Sequence, residues 1–551
     1  MNHTVKLVMV AVLLFAFCAC AASAADDLAN GFAVPAESVR PWRYWWWLNG
    51  YVTKEGIVRD LDEMRAKGIN GVLVFHHFIH QSEPDDQAPG YVWPGVGVEF
   101  NRKNTWWPLI HGWLSYMSRC HTLLQEGRFV ADVCYFQGEW VPAYVPSRWA
   151  MNPPLPPGID CDMINAEALV TRSAMGQQGR LVLPDGQSYR YLVLWQGGRW
   201  QRPPPQIFNR GSDPSTRATC HAADSAKPLA LSPATLKKLK ELVEGGVTLI
   251  GPRPDRAIGL AGYPTSDVEV KKLTDQLWGP ESAPVGQRKV SKGRVIWGQS
   301  LAQVMHADGL RPDLEIVEDA AMAALPAQTL SGIPNPGSFD CIHRTLDDAE
   351  VYFIANLRDA EAAGKFTFRV DGKQPELWDP LTGAIRDAAA FQGAAGRTTV
   401  PLQFAPRGSL FVVFRKPIAA DAAGNAKSNF PKPSVAQVIT GVWTVRFDPK
   451  WGGPASVEFA QLGGLDETAR ARHQLLLGQG HLHEKVRRAG LLPAAGKAAL
   501  ARFGQGEERG RGPPQRQEFG RGVDSALASR TYGRGTAHRE PAGNRCGQSV
   551  A

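Results

Sequence analysis

Cysteine is scarce in this chain and is never arranged as a scaffold: there are eight in 551 residues, with no CxxC pair and no His at ligand spacing from any of them. A disulfide framework would be denser and a zinc site more regular, so Cys120, Cys134, Cys161, Cys220, Cys341 and Cys546 read as scattered core thiols. Beyond the first two dozen positions no run approaches the roughly 18 apolar residues that spanning a bilayer requires, which excludes a membrane span there. There is no GxGxxG, no GxSxG and no phosphate-cradling loop, so dinucleotide binding and the serine-hydrolase elbow are set aside. Internal repeats are lacking too.

The formal charge of +8 is confined to one end. From Gly463 to Ala551 there are 15 Lys and Arg against 8 Asp and Glu, which leaves the other 462 residues at +1. A basic tail without interleaved aromatics carries no nucleic-acid footprint, and no nucleic-acid partner is expected. This tail also lacks Trp and Ile, while Arg, Gly, Gln and Ala dominate it. Such a composition cannot bury enough apolar surface to offset ordering entropy, so residues 463–551 are expected to be disordered. Codons exist for Leu462 to His483 that, moved by one nucleotide, read LEDWTKRPEPGINYYSGKATY, a string with the aromatic, strand-like grammar the tail lacks. A shifted reading frame near Leu462 explains the change, and the restored strands resemble the opening of a β jelly roll.

At the other end, Lys6, the apolar run from Leu7 to Cys20 and the small residues Ala22-Ser23-Ala24 precede Asp26 and Asp27. That order is an export signal, and the mature chain is expected to be secreted or periplasmic. Cys18 and Cys20 leave lipoprotein-type anchoring open.

PWRYWWWLNG, residues 41–50, has the grammar of an aromatic-rich buried strand. Thr53 then caps a helix with Ile57, Leu61 and Met64 one turn apart and Gly68 as its stop. GVLVFHHF, residues 71–78, is a second buried strand. Strand, helix, strand is the unit of parallel sheets and of (β/α)8 barrels. A helix from about Thr105 to Glu126 follows, with Trp106, Ile110, Trp113, Leu114 and Met117 on one side. A closed barrel takes about 200 residues at least, and far fewer stand between Pro41 and Gly127. RFVADVCYF, from Arg128 to Phe136, opens a doubly wound α/β region whose later strands are expected over 179–184, 190–194, 247–251 and 294–298. Its best-specified helix runs from Pro233 to Glu244, with Ser232 as cap and Gly245-Gly246 as stop. From Ile333 to Lys416 short strands without helices indicate a small β-sandwich.

Several strings resemble the glycoside hydrolase family 106 α-L-rhamnosidases: RPWRYWWWLNGYVTKEGIVRDLDEMRAKGI, FHHFIHQ with NTWW, RFVADVCYFQGEWVP, INAEALVTR, LVLPDGQSYRYLVL, QPELWDPLTG and FDPKWGGP. The resemblance runs from Arg40 to Leu462. It implies a secreted hydrolase of terminal α-L-rhamnosyl linkages in polysaccharides, acting by an inverting two-carboxylate mechanism and carrying calcium. One departure matters. In the family the first βαβ unit and the FHHF-like segment are separated by most of a barrel, whereas here Gly68-Ile69-Asn70 runs almost directly into Val74-Phe75-His76-His77. The segment between them is where catalytic acids and calcium ligands are expected, so this chain is expected to be impaired and to have lost those ligands. The division that results is an export signal over 1–25, a (β/α)8-barrel remnant over 26–127 and a flavodoxin-like α/β domain over 128–315. A β-sandwich over 330–417, a linker over 418–433, a truncated jelly-roll start over 434–462 and the tail complete it.

Glycoside hydrolysis needs two opposed carboxyl groups. The acids of the remnant, Glu55, Asp60, Asp62, Glu63, Glu83, Asp85, Asp86, Glu99 and Glu126, include no pair that stands out, and Glu55 to Glu63 share one helix. No catalytic residue and no metal ligand is assigned. The candidate substrate-binding residues are Trp46, whose ring suits a sugar C–H face, His76, His77 and His80, and Glu139 at the end of a strand. On a strand His76 and His80 share a face and His77 points away, so the three do not make one metal site. For each, packing or capping is the competing role. A non-catalytic carbohydrate-binding or scaffolding protein is the alternative function.

Overall fold

The computed structural model describes residues 27–48, 53–77, 107–139, 145, 148, 151–194, 229–280, 283–319, 329–330, 333–334, 338–430, 442–446, 455–459 and 481–483. The chain divides into two units, Met1–Ser434 and Val435–Ala551.

The first unit starts with a helix over residues 27–33 (α1) and continues with β1 (Trp42–Leu48), α2 (Lys54–Lys67) and β2 (Gly71–His77). Thr53 Oγ1 accepts from Gly56 N at 3.0 Å and starts α2. Gly68, at φ +93°, ends it in the left-handed conformation that only glycine adopts freely. The two strands pair in parallel from Trp42↔Gly71 to Leu48↔His77. They are not the buried strands that their composition predicts. Trp42 and Tyr44 are each 66% exposed and Leu73 51%, and no residue of α2 is buried. Among the described residues no third strand pairs with either, so the pair stands as a two-stranded sheet with Trp42, Tyr44 and Leu73 at its exposed surface.

The next helix is shorter than expected. A 3-10 turn at Trp107–Leu109 leads into α3 (Ile110–Leu124), whose Ile110 and Leu114 pack with Trp107 and Ile69. Trp113 turns outward instead of inward and carries the Arg43 guanidinium 4.7 Å from its ring centroid.

The expected strand from Arg128 to Phe136 is two strands in different sheets, β3 (Arg128–Phe129) and β4 (Val133–Phe136). Then come β5 (Cys161–Ile164), α4 (Ala166–Arg172), β6 (Ala174–Met175), β7 (Leu181–Val182), β8 (Ser188–Tyr189) and β9 (Tyr191–Leu194). After them stand α5 (Pro233–Gly245), β10 (Thr248–Ile250), α6 (Thr265–Trp278), β11 (Gly286–Val290), β12 (Gly293–Trp297) and α7 (Leu301–Ala307). The main sheet has the order β5-β4-β9-β10-β12-β11, parallel except at β11. Counting its parallel strands in chain order gives 2-1-3-4-5, a doubly wound order that reverses at β4. Leu236, Leu239 and Val243 of α5 and Val270 and Leu277 of α6 cover one face, and Leu301 and Val304 of α7 lie against the other. Double coverage is why the strands read as continuous apolar runs such as YLVL. The strand expected at 179–184 lies outside this sheet: β7 pairs antiparallel with β6 and β8, because the Asp185-Gly186 turn folds the chain back on itself.

The sandwich comprises β13 (Leu314–Glu318), β16 (Phe339–Thr345), β17 (Glu350–Asn356), β18 (Ala362–Phe368), β19 (Lys373–Trp378), β20 (Ile385–Asp387), β21 (Gln392–Ala394), β22 (Arg397–Phe404) and β23 (Ser409–Pro417), with β14 (Thr329–Leu330) and β15 (Ile333–Pro334) as a separate pair. Its sheets run β13-β18-β22-β21 and β20-β19-β23-β17-β16-β3. It therefore begins at β13 rather than at residue 330, and it recruits β3 from the far side of the α/β region. Along β17 and β23, Tyr352, Ile354, Leu410, Val412 and Phe414 fill the core between the sheets. The alternate residues Val351, Phe411 and Val413 pack outward on Phe32 of α1 and on Cys120 and Leu123 of α3.

The expected linker is tied down over much of its length. Ala423 bridges Gln392, and Asn429, 3% exposed, accepts from Ala390 N at 2.7 Å while donating to the Ala390 and Pro401 carbonyls.

In the second unit β24 (Trp443–Arg446) lies between β25 (Ser456–Phe459) and β26 (His481–His483), antiparallel to both. The strand at 481–483 departs from the disorder expected of the tail. The rest of 463–551, the signal over 1–25, and Cys220 and Cys546 lie outside the described residues. Cys120, Cys134, Cys161 and Cys341 are free thiols. No described helix is long and apolar enough to cross a membrane.

Candidate active site

In (β/α)8 proteins the chemistry sits at the carboxyl ends of the parallel strands. In this chain the ends of β1 and β2 lie side by side, with Trp46 opposite Phe75, Trp47 opposite His76 and Leu48 opposite His77. The pairing brings the backbones of Trp46, His76 and His77 to one end of a two-stranded sheet. His80 lies outside the described residues.

Glu139 is elsewhere and is engaged. It follows β4, and its carboxylate accepts from Ser232 N at 2.6 Å, Ser232 Oγ at 2.7 Å and Thr235 Oγ1 at 2.9 Å. A carboxylate held on the first turn of α5 stabilises donors that have no intrahelical partner and complements the helix dipole.

Among the described residues, α2 between the two strands carries several acids. Glu55, Asp62 and Glu63 line a shallow groove of about 660 Å³ with Lys54 and Arg59. Glu63 accepts from Trp107 Nε1 at 2.9 Å. One helix carries all three, so they cannot approach a glycosidic bond from opposite sides as hydrolysis requires. Among the described residues no three His, Cys, Asp or Glu stand together as a metal site. The described residues thus do not fit a calcium cage.

A buried ionic chain that local sequence patterns do not reveal lies where the α/β sheet meets the sandwich. Asp132, just before β4, pairs with Arg190 Nε at 3.0 Å and Arg369 Nη1 at 2.9 Å. Arg369 Nε reaches Asp313 at 3.0 Å, and Asp313 and Glu350 hold the two ring nitrogens of His343, each at 2.9 Å. Tyr352 stacks on the imidazole with ring centroids 3.8 Å apart. A neutral imidazole has one N–H, and two carboxylate acceptors favour the doubly protonated ring. Burial opposes the charge, but Asp313 first and then Glu350 outweigh it and hold His343 above its ordinary range. The same imidazolium and Arg369 hold Asp313 below the usual carboxylate range, against burial. His343 is 6% exposed with both nitrogens taken, so the cluster is a clamp between layers and not a proton-transfer dyad open to substrate.

These observations define a mixed α/β protein of several sheets, among them a two-stranded parallel pair, a doubly wound sheet and a sandwich. The sequence profile described as alpha-L-rhamnosidase, glycoside hydrolase family 106, matches residues 33–75, 72–204 and 224–392, and the chain belongs to that family. The solved structure of a rhamnosidase from Novosphingobium sp. PP1Y is similar at 27% identity and a TM-score of 0.52, covering 74% of this chain and 34% of that one. A protein of Formosa agariphila that carries a β-glucuronidase name is 31% identical over 356 residues, which is 64% of this chain and 25% of that protein. The chain thus spans about a quarter to a third of the length of these relatives.

Proposed function

We propose that this chain is an exported member of the family in which an internal deletion has removed most of a (β/α)8 barrel and, with it, efficient hydrolysis of terminal α-L-rhamnosyl linkages. The observation that carries the reading is the bare βαβ unit: β1 and β2 pair with each other and, among the described residues, with no further strand, while Trp42, Tyr44 and Leu73 face solvent. The family match supports the position of the loss, because its first stretch ends at residue 75 and its second begins at residue 72. In this reading the doubly wound sheet is a flavodoxin-like brace. The strands after residue 434 open a jelly roll that a shifted frame leaves unfinished. The intact family activity would be the inverting two-carboxylate reaction on polysaccharide, with calcium, and among the described residues neither an opposed acid pair at the barrel strands nor a metal cluster stands ready for it.

The test is turnover of an aryl α-L-rhamnoside by the purified chain. A positioned acid or base contributes roughly 10²–10⁴-fold, so without the pair the rate is expected to fall by roughly 10⁴-fold or more. Release of rhamnose at an ordinary enzyme rate, on the order of 1–10³ per second, would overturn the impairment.

A second reading is favoured by the completeness of the other layers. The doubly wound sheet is packed on both faces and the sandwich has a closed core, as a non-catalytic carbohydrate-binding or scaffolding protein requires. Calorimetric titration with rhamnose-containing oligosaccharides separates the two, since binding without turnover supports the second.

A further inference from the structure

A cleft of about 560 Å³ opens at the edge of the doubly wound sheet, within the range of roughly 300–1,000 Å³ typical of small-molecule sites. Three elements enclose it: the carboxyl end of edge strand β5 with the start of α4, the β7–β8 hairpin, and β3 with Arg344 of β16. Two arginines, Arg128 and Arg344, and two aspartates, Asp162 and Asp185, line it, so their formal charges cancel. Gln137 and Asn165 add amides that both donate and accept.

Part of this hydrogen-bonding capacity is unspent. Asp162 accepts from Tyr189 through Oδ2 at 2.8 Å, which leaves Oδ1 without a protein donor among the described residues. Asn165 uses its oxygen on Ala168 N at 2.8 Å to cap α4, so its amide N–H groups remain. Arg128 is exposed, and neither its guanidinium nor the Gln137 side chain has a hydrogen-bond or ion-pair partner among the described residues. Arg128 Nη1 sits 3.4 Å from where a Cβ on Gly186 would stand, and Gly186, at φ +86°, is the hairpin residue that leaves this room. Burial, with Asp185 adding to it, pushes the Asp162 carboxyl above its usual range.

We infer that this cleft binds a neutral saccharide unit, at a site separate from the barrel strands. Each hydroxyl of a sugar donates and accepts, which suits a mixture of guanidinium, carboxylate and amide groups. Balanced charge disfavours an anionic or cationic ligand over a neutral one. Phe129 and Met163 supply apolar surface for the C–H face. The inference goes beyond the proposed activity and requires no turnover.

The test is calorimetric titration of the full chain with L-rhamnose, D-galactose and sodium D-glucuronate, repeated on Arg128→Ala and Gln137→Ala. The expected result is binding of a neutral sugar that weakens by about tenfold in each variant, the equivalent of one charge-assisted or well-formed hydrogen bond, with unchanged thermal transitions. Glucuronate should bind no tighter than the neutral sugars. Absence of neutral-sugar binding at tens of millimolar, affinity in both variants unchanged from that of the unsubstituted chain, or a marked preference for glucuronate would overturn the inference. In the second case saccharide binding elsewhere on the chain would still stand, so failure here is distinct from failure of the family reading.

Discussion

Replacing Glu139 by Gln removes the charge that three donors at the start of α5 share. Hydrogen bonds to charged groups contribute about 1.5–3 kcal/mol, so Glu139→Gln is expected to cost about that much, read as a lower first thermal transition, and to leave saccharide binding intact. The converse, lost binding with full stability, would restore Glu139 as a ligand. His343 makes stability depend on pH. Its folded pKa is raised above the ordinary 6.5, so its contribution is complete below 6.5 and is lost as pH rises through the folded value. Asp313 is depressed below 3.8, so its contribution is present above 3.8 and is lost as pH falls through the folded value. The clamp should be strongest between those ordinary values, and His343→Gln should flatten the alkaline limb of a plot of urea midpoint against pH.

The segment 419–430 behaves as a strap because Asn429 satisfies backbone groups of the bend before β21 and of β22 at once. Asn429→Ala leaves the Ala390 N–H and two carbonyls without that partner. Unsatisfied buried groups cost about 1–3 kcal/mol each, and the expected outcome is faster proteolytic nicking within 419–430 at native pH. Helix α5 was legible to within one residue, since Ser232, Pro233 and the closing Gly-Gly act through local backbone chemistry, while the contact of Glu139 with its first turn was not. Nor was the split of residues 128–136. RFVADVCYF reads as one apolar strand interrupted only at Asp132, and only the competing pull of two sheets separates Arg128–Phe129 from Val133–Phe136. The same holds for β7, whose composition suits the main sheet but whose turn returns it to its own neighbours.

Across the whole molecule burial is uneven, and the consequences are opposite at its two poles. Phe411 is fully buried between the sandwich and α1, and Phe411→Ala is expected to destabilise by about 3–5 kcal/mol. Trp42 and Tyr44 face solvent, so changing both to Ser should cost no more than about 0.5 kcal/mol each while reducing light scattering on concentration. Hydrophobic composition alone placed both strands of the βαβ unit inside, and it failed at Trp42, Tyr44 and Leu73 because burial needs a second surface, and among the described residues no further strand joins the pair. Of the candidate sugar-binding residues, the three histidines group by sequence alone, whereas the parallel pairing of β1 with β2 is what sets the backbone of Trp46 at the same sheet end as those of His76 and His77. Asp162 and Arg128 were not legible together, since they converge only through the hairpin and β3.

By itself the sequence determined what depends on short-range chemistry: the capped helices, the alternation of the sandwich strands, and the strings that place the chain in its family. Tertiary structure alone decided which sheet each short strand joins, that the supposed linker straps the sandwich, and that Asp132, Arg369, Asp313 and His343 form one chain of charges. The reason is physical. Caps and periodicity are settled within a few residues, whereas ion pairs and sheet membership are settled by surfaces distant along the chain, and no local pattern records which of them will meet.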